Sequence, residues 1–325
     1  GSIFVTGTAG FIGFHLARQL LDDGRRVIGL DNFVDYYDVR LKEDRHRHLE
    51  AYPAYTGFRG DLCDYDLLKQ IFAEHEIADV VHLAAQAGVR YSLSHPFAYT
   101  RSNIDGFVTL LETIRHAGLK RIIYASSSSV YGGNTKLPFA EHDPVDTPVS
   151  LYAATKRADE LIAHTYTHLY GIQTVGLRFF TVYGPWGRPD MAMWIFTDKI
   201  RRGEQIDVYN FGDMHRDFTY IDDVVDGITG ALDAHDVAPY ELFNLGNSKS
   251  ERLLDLIAEI EHALGSEASM NMMPMQPGDV PQTYADITKA KEKLGFAPAT
   301  PISVGIPRFV DWFTSYHAAP TGVDQ

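Results

Sequence analysis

Short apolar runs alternate with amphipathic stretches along the first half of the chain. Six runs have the length and composition of buried strands, at residues 3–5, 26–30, 55–59, 80–83, 121–125 and 173–177. Helical patterns lie between them, at residues 11–21, 64–75, 96–116 and 151–170. Parallel strands need crossover connections of this kind, which leave helices on both faces of the sheet. The alternation therefore predicts an α/β fold built on a doubly wound parallel sheet.

Three glycines follow the first predicted strand and precede the first predicted helix, as Gly7-x-x-Gly10-x-x-Gly13. In this context glycines allow a tight turn, close approach of the backbone to a pyrophosphate, and close helix–strand packing. Asp31 ends the second strand, where a carboxylate accepts hydrogen bonds from an adenosine ribose and repels a 2′-phosphate; a structural turn residue is the alternative. The pattern predicts a Rossmann-type site that prefers NAD to NADP. The other candidate NAD-binding residues are Phe11, Ile12, Asn32, Asp61, Leu62, Leu83, Ala84, Ala85, Tyr152 and Lys156.

Tyr152 and Lys156 are separated by four positions in the predicted helix 151–170. This spacing places both side chains on one helix face, so the ammonium group can approach the phenol. A free phenol has a pKa of about 10, and a neighbouring cation lowers it by stabilising the phenolate. Ser127 follows the strand 121–125 and can share the proton. We therefore predict hydride transfer at a carbinol carbon, with Tyr152 handling the hydroxyl proton.

The composition excludes several other classes of protein. A net charge of −14, from 43 acidic and 29 basic residues, argues against nucleic-acid or anionic-membrane binding. The chain has no run of about 18 apolar residues and no signal-peptide pattern, and its single cysteine, Cys63, fits a reducing compartment. We expect a cytoplasmic protein. His164 and His168 have the spacing of a metal-ligand pair but no evident third ligand, so no metal site is predicted.

The sequence changes in character beyond about residue 177, where segments become shorter and are broken by proline and glycine. Examples are Tyr183-Gly-Pro-Trp-Gly-Arg-Pro189 and Met273-Pro-Met-Gln-Pro-Gly278. We interpret this part as a smaller α/β substrate domain that closes over the C-terminal edge of the sheet. The predicted boundaries are 1–178 for the Rossmann domain, 179–317 for the substrate domain and 318–325 for a flexible tail. The boundary is approximate, and segments of the two domains can interleave.

Two apolar stripes suggest a homodimer formed through a four-helix bundle. Each runs along one predicted helix, and paired copies of both helices would bury them. Burial within a single chain is the alternative explanation. The stripes consist of Phe97, Ile104, Leu111 and Ile114 on helix 96–116, and of Leu161, Ile162 and Leu169 on helix 151–170.

Several segments resemble the nucleotide-sugar epimerases of the extended short-chain dehydrogenase/reductase superfamily, and the similarity runs from residue 3 to about residue 316. The Tyr152/Lys156 pair and the glycine loop mark the superfamily, whereas a longer segment resembles the signature of UDP-glucuronate 4-epimerases. That segment is Arg178-Phe-Phe-Thr-Val-Tyr-Gly-Pro-Trp-Gly-Arg-Pro-Asp-Met-Ala192. The supporting segments are Asp31-Asn-Phe-Val-Asp-Tyr-Tyr-Asp38, Ala84-Ala-Gln-Ala-Gly-Val-Arg-Tyr-Ser92 and Ser126-Ser-Ser-Ser-Val-Tyr-Gly132.

The resemblance assigns roles to individual residues. It implies that Ser127, Tyr152 and Lys156 form a catalytic triad, and that Asn103 helps to position the structure around the active site and the nucleotide. Arg216 matches an arginine that binds the diphosphate, and Asp279 matches a residue that contacts the uridine ribose. Thr181 takes a position that is Asn in many relatives that contact the sugar. UDP-galactose epimerases have arginine where this chain has Gln276 and a bulky aromatic residue where it has Thr283, which argues against glucose or galactose as the sugar.

The residues after the fifth strand favour epimerisation over two related reactions. Dehydratase relatives carry Asp and Glu at Ser128 and Ser129, and decarboxylase relatives carry Glu at Ser129, so the usual catalyst for either reaction is absent. Ser128, Ser129 and Thr181 can instead hydrogen-bond a substrate carboxylate, with Arg188 or Arg90 adding charge. Turn formation by the serines and surface positions for the arginines are the alternatives.

The resemblance thus implies conversion of UDP-glucuronate to UDP-galacturonate through a 4-keto sugar, without decarboxylation. Three other functions remain open from sequence alone. A UDP-hexose or UDP-N-acetylhexosamine 4-epimerase and a UDP-glucuronate decarboxylase are enzymes of the same superfamily. A non-catalytic NAD-sensing binding protein is the alternative from a different class.

Overall fold

The structure, a computed structural model, describes residues 1–319. Its strands, in chain order, are β1 (Ser2–Thr6), β2 (Val27–Asp31), β3 (Tyr55–Arg59), β4 (Ile77–His82), β5 (Arg121–Ser127), β6 (Gln173–Phe179), β7 (Thr181–Tyr183), β8 (Gln205–Val208), β9 (His215–Arg216), β10 (Phe218–Tyr220), β11 (Tyr240–Leu245), β12 (Glu251–Arg252) and β13 (Ser269–Met272). Its helices are α1 (Phe11–Asp22), α2 (Val39–Glu50), α3 (Tyr65–Glu74), α4 (Tyr91–Ser94), α5 (Pro96–Tyr99), α6 (Gly106–His116), α7 (Leu151–Tyr170), α8 (Ala192–Arg201), α9 (Ile221–Asp233), α10 (Leu253–Leu264), α11 (Thr288–Leu294) and α12 (Ile302–Ala318).

Seven strands form one parallel sheet in the order β11-β6-β5-β4-β1-β2-β3. The six predicted strands are all present, and helices cover the sheet, so the predicted Rossmann-type α/β fold is confirmed. The seventh strand, β11, comes from the segment assigned to the substrate domain and pairs with β6. That segment therefore contributes to the sheet, and the two proposed domains interleave. Ala318 of the predicted tail ends α12, and residues 320–325 lie outside the described part of the chain.

The sheet has a switch point between β1 and β4. From β1 the chain moves to β2 and β3 on one side, whereas β4, β5 and β6 lie on the other. Loops leaving the carboxyl ends of β1 and β4 diverge there and leave a crevice, which is the usual ligand site of an open α/β sheet. The glycine loop follows β1 and the loop 83–90 follows β4, so both predicted cofactor loops lie at this point.

Helix α2 was not predicted. Its twelve residues, Val-Arg-Leu-Lys-Glu-Asp-Arg-His-Arg-His-Leu-Glu, contain three aliphatic side chains and no apolar stripe. It nevertheless buries Lys42, Arg45 and His46. Lys42 and Arg45 donate hydrogen bonds to backbone carbonyl groups of neighbouring loops, and His46 pairs with Glu50 of the same helix. Asp38 caps its start by accepting a hydrogen bond from the backbone N–H of Arg40 at 3.0 Å.

The helix predicted at 96–116 contains a π-helical turn, Thr100–Asp105, between α5 and α6. It begins at Pro96 as expected, and Gly118 follows its end with φ of +77°, a conformation that glycine tolerates. The π turn holds Asn103, which is buried. Such turns inside α-helices often occur at functional sites, because they re-aim one side chain.

The predicted dimer stripes are only partly exposed. Leu111 and Ile114 are fully buried in the core of this chain, so the expectation that they meet a second subunit is wrong for both residues. They pack in the core cluster that includes side chains of β1, β4 and β5. Phe97, Leu161 and Leu169 are 83%, 54% and 59% exposed, and they form the remaining apolar surface of the two helices.

Candidate active site

The glycine loop after β1 leaves no room for side chains. Gly7 has φ of +81°, and a Cβ there would lie 2.9 Å from the backbone nitrogen of Ala84. A Cβ at Gly13 would lie 1.9 Å from the carbonyl oxygen of Gly7. Helix α1 begins directly after Gly10 without a side-chain cap, so the N–H groups of its first turn, which includes Phe11 and Ile12, are available to an anion. This backbone cradle fits the pyrophosphate of a dinucleotide.

Asp31 lies beside the glycine loop at the end of β2. One carboxylate oxygen accepts a hydrogen bond from the backbone N–H of Ala9, and the other from that of Phe33, both at 2.9 Å. Asp31 therefore has the structural turn role that the sequence analysis gave as the alternative. Each oxygen keeps a lone pair that a ribose hydroxyl can use, so the two roles are compatible. Asn32 accepts a bond from the N–H of Val34 at 3.2 Å.

The candidate adenine-side residues follow β3 and β4. Asp61 accepts hydrogen bonds from the backbone N–H of Cys63 at 2.8 Å and from Arg101 at 3.1 Å. Leu62 is buried beneath it. The loop after β4, with Leu83, Ala84 and Ala85, starts where the backbone N–H groups of Leu83 and Ala84 donate to the hydroxyl of Thr6 at 3.1 Å. Both loops leave the carboxyl ends of strands in the same parallel sheet, which is the edge where this fold binds a dinucleotide.

The predicted acid/base residues come from the end of β5 and the first two turns of α7. Ser150 caps α7 by accepting from the N–H of Ala153 at 3.0 Å, which sets Tyr152 in the first turn. Lys156 is 2% exposed, and its Nζ donates to the carbonyl oxygen of Ala125 at 3.2 Å. Ser127 is the last residue of β5. The buried ammonium is thus held against the strand that carries Ser127, one helical turn from Tyr152.

The serine segment after β5 forms a tight turn. The backbone N–H and the hydroxyl of Ser129 both donate to Ser127 Oγ, at 3.1 and 2.9 Å. Ser127 thereby caps the 3₁₀ turn Ser128–Tyr131. The turn role proposed as an alternative is realised for Ser129, while Ser128 and Ser129 remain partly accessible to solvent.

Asn103 connects the loop after β4 to the catalytic helix. Its Oδ1 accepts from the backbone N–H of Gln86 at 2.8 Å. Its Nδ2 donates to the carbonyl oxygen of Gln86 and to the hydroxyl of Thr155, each at 3.1 Å. Thr155 directly precedes Lys156, so the π turn orients the part of α7 that carries the lysine. This positioning role agrees with the one implied by the resemblance.

A buried ion network supports the serine turn from beneath. Arg178 donates to both carboxylate oxygens of Glu160, at 2.8 and 2.9 Å, and to the hydroxyl of Tyr131 at 3.0 Å. Ser126 donates to the same carboxylate at 2.8 Å. Arg178 and Glu160 are almost completely buried, so loss of either partner would leave an uncompensated charge. This network ties β5, β6 and α7 together below the site.

Arg216 and Asp279, the two predicted nucleotide contacts, lie side by side. Arg216 Nη2 donates to Asp279 Oδ1 at 2.7 Å, and its Nη1 donates to the carbonyl oxygen of His215 at 2.9 Å. Burial lowers the pKa of Arg216, and the negative charge of Asp279 opposes that effect. The pair therefore offers a cation to which a diphosphate could bind, next to a carboxylate to which a ribose hydroxyl could donate.

Thr181 and Arg188 line a small cavity in the C-terminal half. Phe11, from the first turn of α1, also lines it, so the cavity joins the cofactor loop to the signature segment. Most of its remaining wall is apolar, with contributions from Val182, Met191, Met193, Trp194, Phe218 and Phe309. Arg90 lies elsewhere, with its guanidinium 5.4 Å from the ring centroid of Tyr209.

Arg45 is a site residue that sequence reasoning missed. Its side chain is completely buried and donates to the carbonyl oxygen of Ala9 at 2.9 Å and to the hydroxyl of Tyr37 at 2.6 Å. It also donates to the carbonyl oxygen of Trp186, in the signature segment. Arg45 therefore links the cofactor loop to the substrate side. Its helix lacks apolar periodicity, so no pattern marked it.

The structure gives no support to a metal centre. Within residues 1–319, no group of three or more histidine, cysteine, aspartate or glutamate side chains is arranged to hold a metal ion. The His164 ring packs edge-on against Tyr240 at 5.0 Å between centroids. None of the helices in the same residues has the length and apolar character needed to cross a membrane.

Comparison with known proteins identifies the family. Residues 3–246 match the model of the NAD dependent epimerase/dehydratase family. The glycine cradle, the buried Lys156 and the nearby Tyr152 are the features that such a family requires. The chain belongs to this family.

Several relatives and solved structures of this family are named as UDP-sugar 4-epimerases. UDP-glucuronate 4-epimerase 2 of Arabidopsis thaliana is 48% identical over 332 residues, which cover 97% of this chain and 76% of the relative. A crystal structure of UDP-glucuronic acid 4-epimerase from Bacillus cereus, in complex with UDP-glucuronic acid and NAD, matches with a TM-score of 0.92 and 35% identity over 97% of this chain and 100% of that one. A UDP-glucose 4-epimerase from Thermotoga maritima matches with a TM-score of 0.89 and 31% identity over 98% and 100%.

Proposed function

We propose that this protein is a UDP-glucuronate 4-epimerase that interconverts UDP-glucuronate and UDP-galacturonate. The observation that carries the proposal is the end of β5, where Ser127 meets the helix of Tyr152 and Lys156 and no carboxylate stands at Ser128 or Ser129. This arrangement supplies an acid/base for a secondary alcohol but no base for a proton on the neighbouring carbon. The names of the relatives at 48% and 35% identity support the same substrate.

NAD is the cofactor that these residues fit. Gly7, Gly10 and Gly13 would hold its pyrophosphate on backbone N–H groups, and Asp31 would hold its adenosine ribose and exclude a 2′-phosphate. The chemistry that bound NAD supplies is reversible hydride acceptance at C4 of the sugar. Because the hydride is returned, no net reduction of the cofactor is expected.

The protein's own part in the reaction is proton transfer. Tyr152, as phenolate, removes the proton of the 4-hydroxyl group and later returns it to the same oxygen, when hydride is returned to the other face of C4. The ammonium of Lys156, held at the carbonyl of Ala125, stabilises the phenolate. Ser127 Oγ, which accepts two bonds from Ser129, is left to donate its own proton toward the reacting oxygen.

The anchor of the substrate is the nucleotide, because the 4-keto sugar has to rotate between the two proton transfers. Arg216 would hold the diphosphate and Asp279 the uridine ribose, and their mutual bond at 2.7 Å keeps both groups in place. With the nucleotide fixed, the rotating sugar presents each face of C4 to the cofactor in the same geometry. Rotation of the sugar can then lead to reaction.

Retention of the carboxylate is proposed to depend on hydroxyl groups and Arg188. A 4-keto uronate loses carbon dioxide readily, and hydrogen bonds from Ser128, Ser129 and Thr181 would hold its carboxylate near the ring plane and slow that loss. Arg188 shares the cavity wall with Thr181 and would add two-point charge recognition. Arg90 contacts Tyr209 and is the weaker candidate of the two arginines.

Incubation of the protein with UDP-glucuronate and NMR analysis of the product tests the proposal. A C4 epimer supports it, whereas carbon dioxide with a UDP-pentose would identify a decarboxylase. UDP-glucose and UDP-N-acetylglucosamine are assayed in parallel, and faster turnover of either would reject glucuronate as the substrate. A protein that binds NAD but converts none of these sugars would be a binding protein instead.

The exposed apolar side chains on α5 and α7 also support the homodimer expected from sequence. Phe97, Leu161 and Leu169 would pack against their copies in a four-helix bundle. Sedimentation analysis of the wild type and of Leu161→Asp tests this proposal. A dimer that dissociates in the variant supports it, and a wild-type monomer at micromolar concentration contradicts it.

A further inference from the structure

Arg188 is held by two residues that the proposed mechanism does not use. Its Nε donates to Asp190 Oδ1 at 2.9 Å and its Nη2 donates to Asp190 Oδ2 at 2.7 Å. Tyr36 donates its hydroxyl to the same Oδ2 at 3.1 Å. We call these three residues the Arg188 cluster. Tyr36 comes from the loop after β2, which begins with Asp31, so the cluster joins the cofactor side to the signature segment.

The ionisation of the cluster is well defined. Burial alone would raise the pKa of Asp190, but the hydrogen bond and charge of Arg188 outweigh it and keep that pKa below its usual value. Asp190 is therefore a carboxylate at neutral pH. Burial and the charge of Asp190 raise the pKa of Tyr36 to about 12, so Tyr36 remains a neutral donor. The neutral hydroxyl of Tyr36 and the charged guanidinium of Arg188 thus both donate to the Asp190 carboxylate and fix its position.

The hydrogen-bond geometry leaves one edge of the guanidinium for another acceptor. Arginine has five N–H donors, and Asp190 takes only the edge formed by Nε and Nη2. The second Nη2 hydrogen meets only the weak acceptor Sδ of Met191, at 3.5 Å. The edge formed by Nη1 and Nη2 can therefore bind a second carboxylate in two-point fashion. Because the first edge is fixed, the second has a fixed direction.

The position of the cluster makes that edge relevant to the sugar. Arg188 lines the cavity together with Thr181 and with Phe11 of the cofactor loop. It is also close enough to Tyr152 for their charges to interact. A hexuronate whose 4-hydroxyl group meets Tyr152 carries its carboxylate on the adjacent carbon C5. If the 4-hydroxyl group lies at Tyr152, a cation near both Tyr152 and Thr181 is placed to meet that carboxylate.

We propose that Asp190 and Tyr36 are positioning residues, which orient Arg188 toward the sugar carboxylate and so set the preference for an acidic over a neutral UDP-sugar. The inference rests on the proposed function and adds specificity-determining residues to it. An unrestrained arginine would lose side-chain entropy when it binds a carboxylate, and the cluster removes most of that loss before the substrate arrives. A neutral hexose has no group that profits from this arrangement.

The test compares the two kinds of sugar in one variant. Asp190→Asn keeps the size of the side chain but removes the charge that holds the guanidinium fork. We expect KM for UDP-glucuronate to rise about tenfold, while kcat changes less than about twofold. KM for UDP-glucose, measured on the same preparation, stays within about twofold of the wild type. Tyr36→Phe removes only the supporting hydroxyl, so its effect has the same direction and is about threefold.

A matched control is available on α8. Asp198 also pairs with arginines, accepting from Arg202 at 2.7 Å and from Arg201 at 3.3 Å, but it does not line the cavity. Asp198→Asn should leave KM for both sugars unchanged. The melting temperatures of the three variants are recorded alongside, and Tyr36→Phe retains a test of the inference if Asp190→Asn does not fold.

Two results would overturn the inference. An equal rise in KM for both sugars would mean that Asp190 only supports the loop. A lower KM for UDP-glucuronate in Asp190→Asn would mean that Asp190 competes with the substrate for Arg188. Failure of the proposed function is separate and visible in the wild type, which would then not epimerise UDP-glucuronate at all.

Discussion

The cofactor side and the sugar side of the site are built by different means. On the cofactor side, Gly7 and Gly13 bring backbone against backbone, and the groups that would meet NAD are peptide N–H groups. On the sugar side, the long side chains of Arg188 and Arg216 are each held by a carboxylate. The cofactor side depends on glycines, whose lack of a side chain lets backbone segments touch. The sugar side depends on arginine–carboxylate pairs.

This difference determines how each side responds to substitution. Two backbone segments in contact cannot move apart without shifting β1 and α1, so an added methyl group on the cofactor side has a large effect. The pair of Arg188 and Asp190 is about one quarter exposed, with side-chain accessibilities of 24% and 23%. Because solvent still reaches both groups, the loss of one partner should cost less stability than in a fully buried pair. Changes there should alter selectivity and leave the fold intact.

Tyr152 is the proposed acid/base of the reaction, so its removal should have the largest effect. We expect Tyr152→Phe to lower kcat about 10³-fold, because general acid–base catalysis contributes on this order. Affinities for NAD and for UDP-glucuronate should change little, since both binding sides remain. Turnover is measured by NMR and binding by calorimetry.

Tyr170→Phe, near the other end of the same helix, is the matched control and should turn over like the wild type. Epimerisation at the wild-type rate in Tyr152→Phe would remove Tyr152 from the mechanism. Loss of NAD binding in that variant would show that the phenol belongs to the cofactor side.

Gly13→Ala tests the claim that the cofactor side is steric. A Cβ there would lie 1.9 Å from the carbonyl oxygen of Gly7, and both atoms belong to fixed backbone. We expect NAD affinity to fall about 100-fold or more, because the first turn of α1 has to move away from the loop. Fluorescence titration with NAD measures the affinity.

Gly133→Ala is the control, since a Cβ at Gly133 meets nothing within 4 Å. NAD affinity within a few-fold of the wild type in Gly13→Ala would show that the loop tolerates displacement. The contrast between the two sides would then be lost.

The same contrast explains what could be predicted from sequence. Strand β5 carries an apolar run, and Tyr152 and Lys156 have i,i+4 spacing on α7; these local signals predicted that both lie near Ser127. The glycine loop was also predictable, because a side chain at Gly13 would clash with the backbone of the loop. Signals of this kind depend on the residue itself and its near neighbours, so no knowledge of distant contacts is needed.

Contacts between distant segments carried no such signal. Arg45 lies on a helix without apolar periodicity, and its partners Ala9 and Trp186 are far apart in sequence. The same holds for Tyr36, which bonds Asp190 from a loop on the opposite side of the site. Strand β11 was missed because its place beside β6 depends on a long connection through the C-terminal half. Polar groups that are buried by tertiary contacts resemble surface residues in a sequence.

Arg216→Gln sharpens the comparison from the sugar side. Arg216 is proposed to bind the diphosphate, which acidic and neutral UDP-sugars share. We therefore expect KM to rise about 30-fold for UDP-glucuronate and for UDP-glucose alike, the range for loss of a charge-assisted contact. Steady-state kinetics with both sugars provides the measurement.

This outcome differs from that of Asp190→Asn, in which only the acidic sugar should be affected. Lys249→Gln serves as the control, because Lys249 is an exposed cation that pairs with Glu251 at 2.9 Å. A selective effect of Arg216→Gln on UDP-glucuronate would place the sugar carboxylate, instead of the diphosphate, at Arg216.

The smallest expected effect concerns Asp159, a residue of α7 that lies one helical turn after Lys156. Asp159 is 2% exposed, and its Oδ1 has no hydrogen-bond partner in the described part of the chain. Burial raises its pKa to about 8; the charge of Lys156 opposes this rise and that of Glu160 adds to it. An unfolded aspartate has a pKa of about 3.9. The folded state therefore binds a proton that the unfolded state releases between about pH 4 and pH 8.

Folding stability should accordingly fall as the pH rises through this window, since the unfolded state binds fewer protons there. Asp159→Asn removes the titration, so its melting temperature should exceed that of the wild type by about 3 °C at pH 9. The difference should shrink as the pH is lowered toward 5, where Asp159 is protonated in the folded state. Asp198→Asn, on the surface, should show no such trend. The contrary result is a melting-temperature difference for Asp159→Asn that stays constant from pH 5 to pH 9. It would mean that Asp159 does not titrate in this range. The charge of Lys156 would then be balanced by an ionised Asp159 and would stabilise the Tyr152 phenolate less.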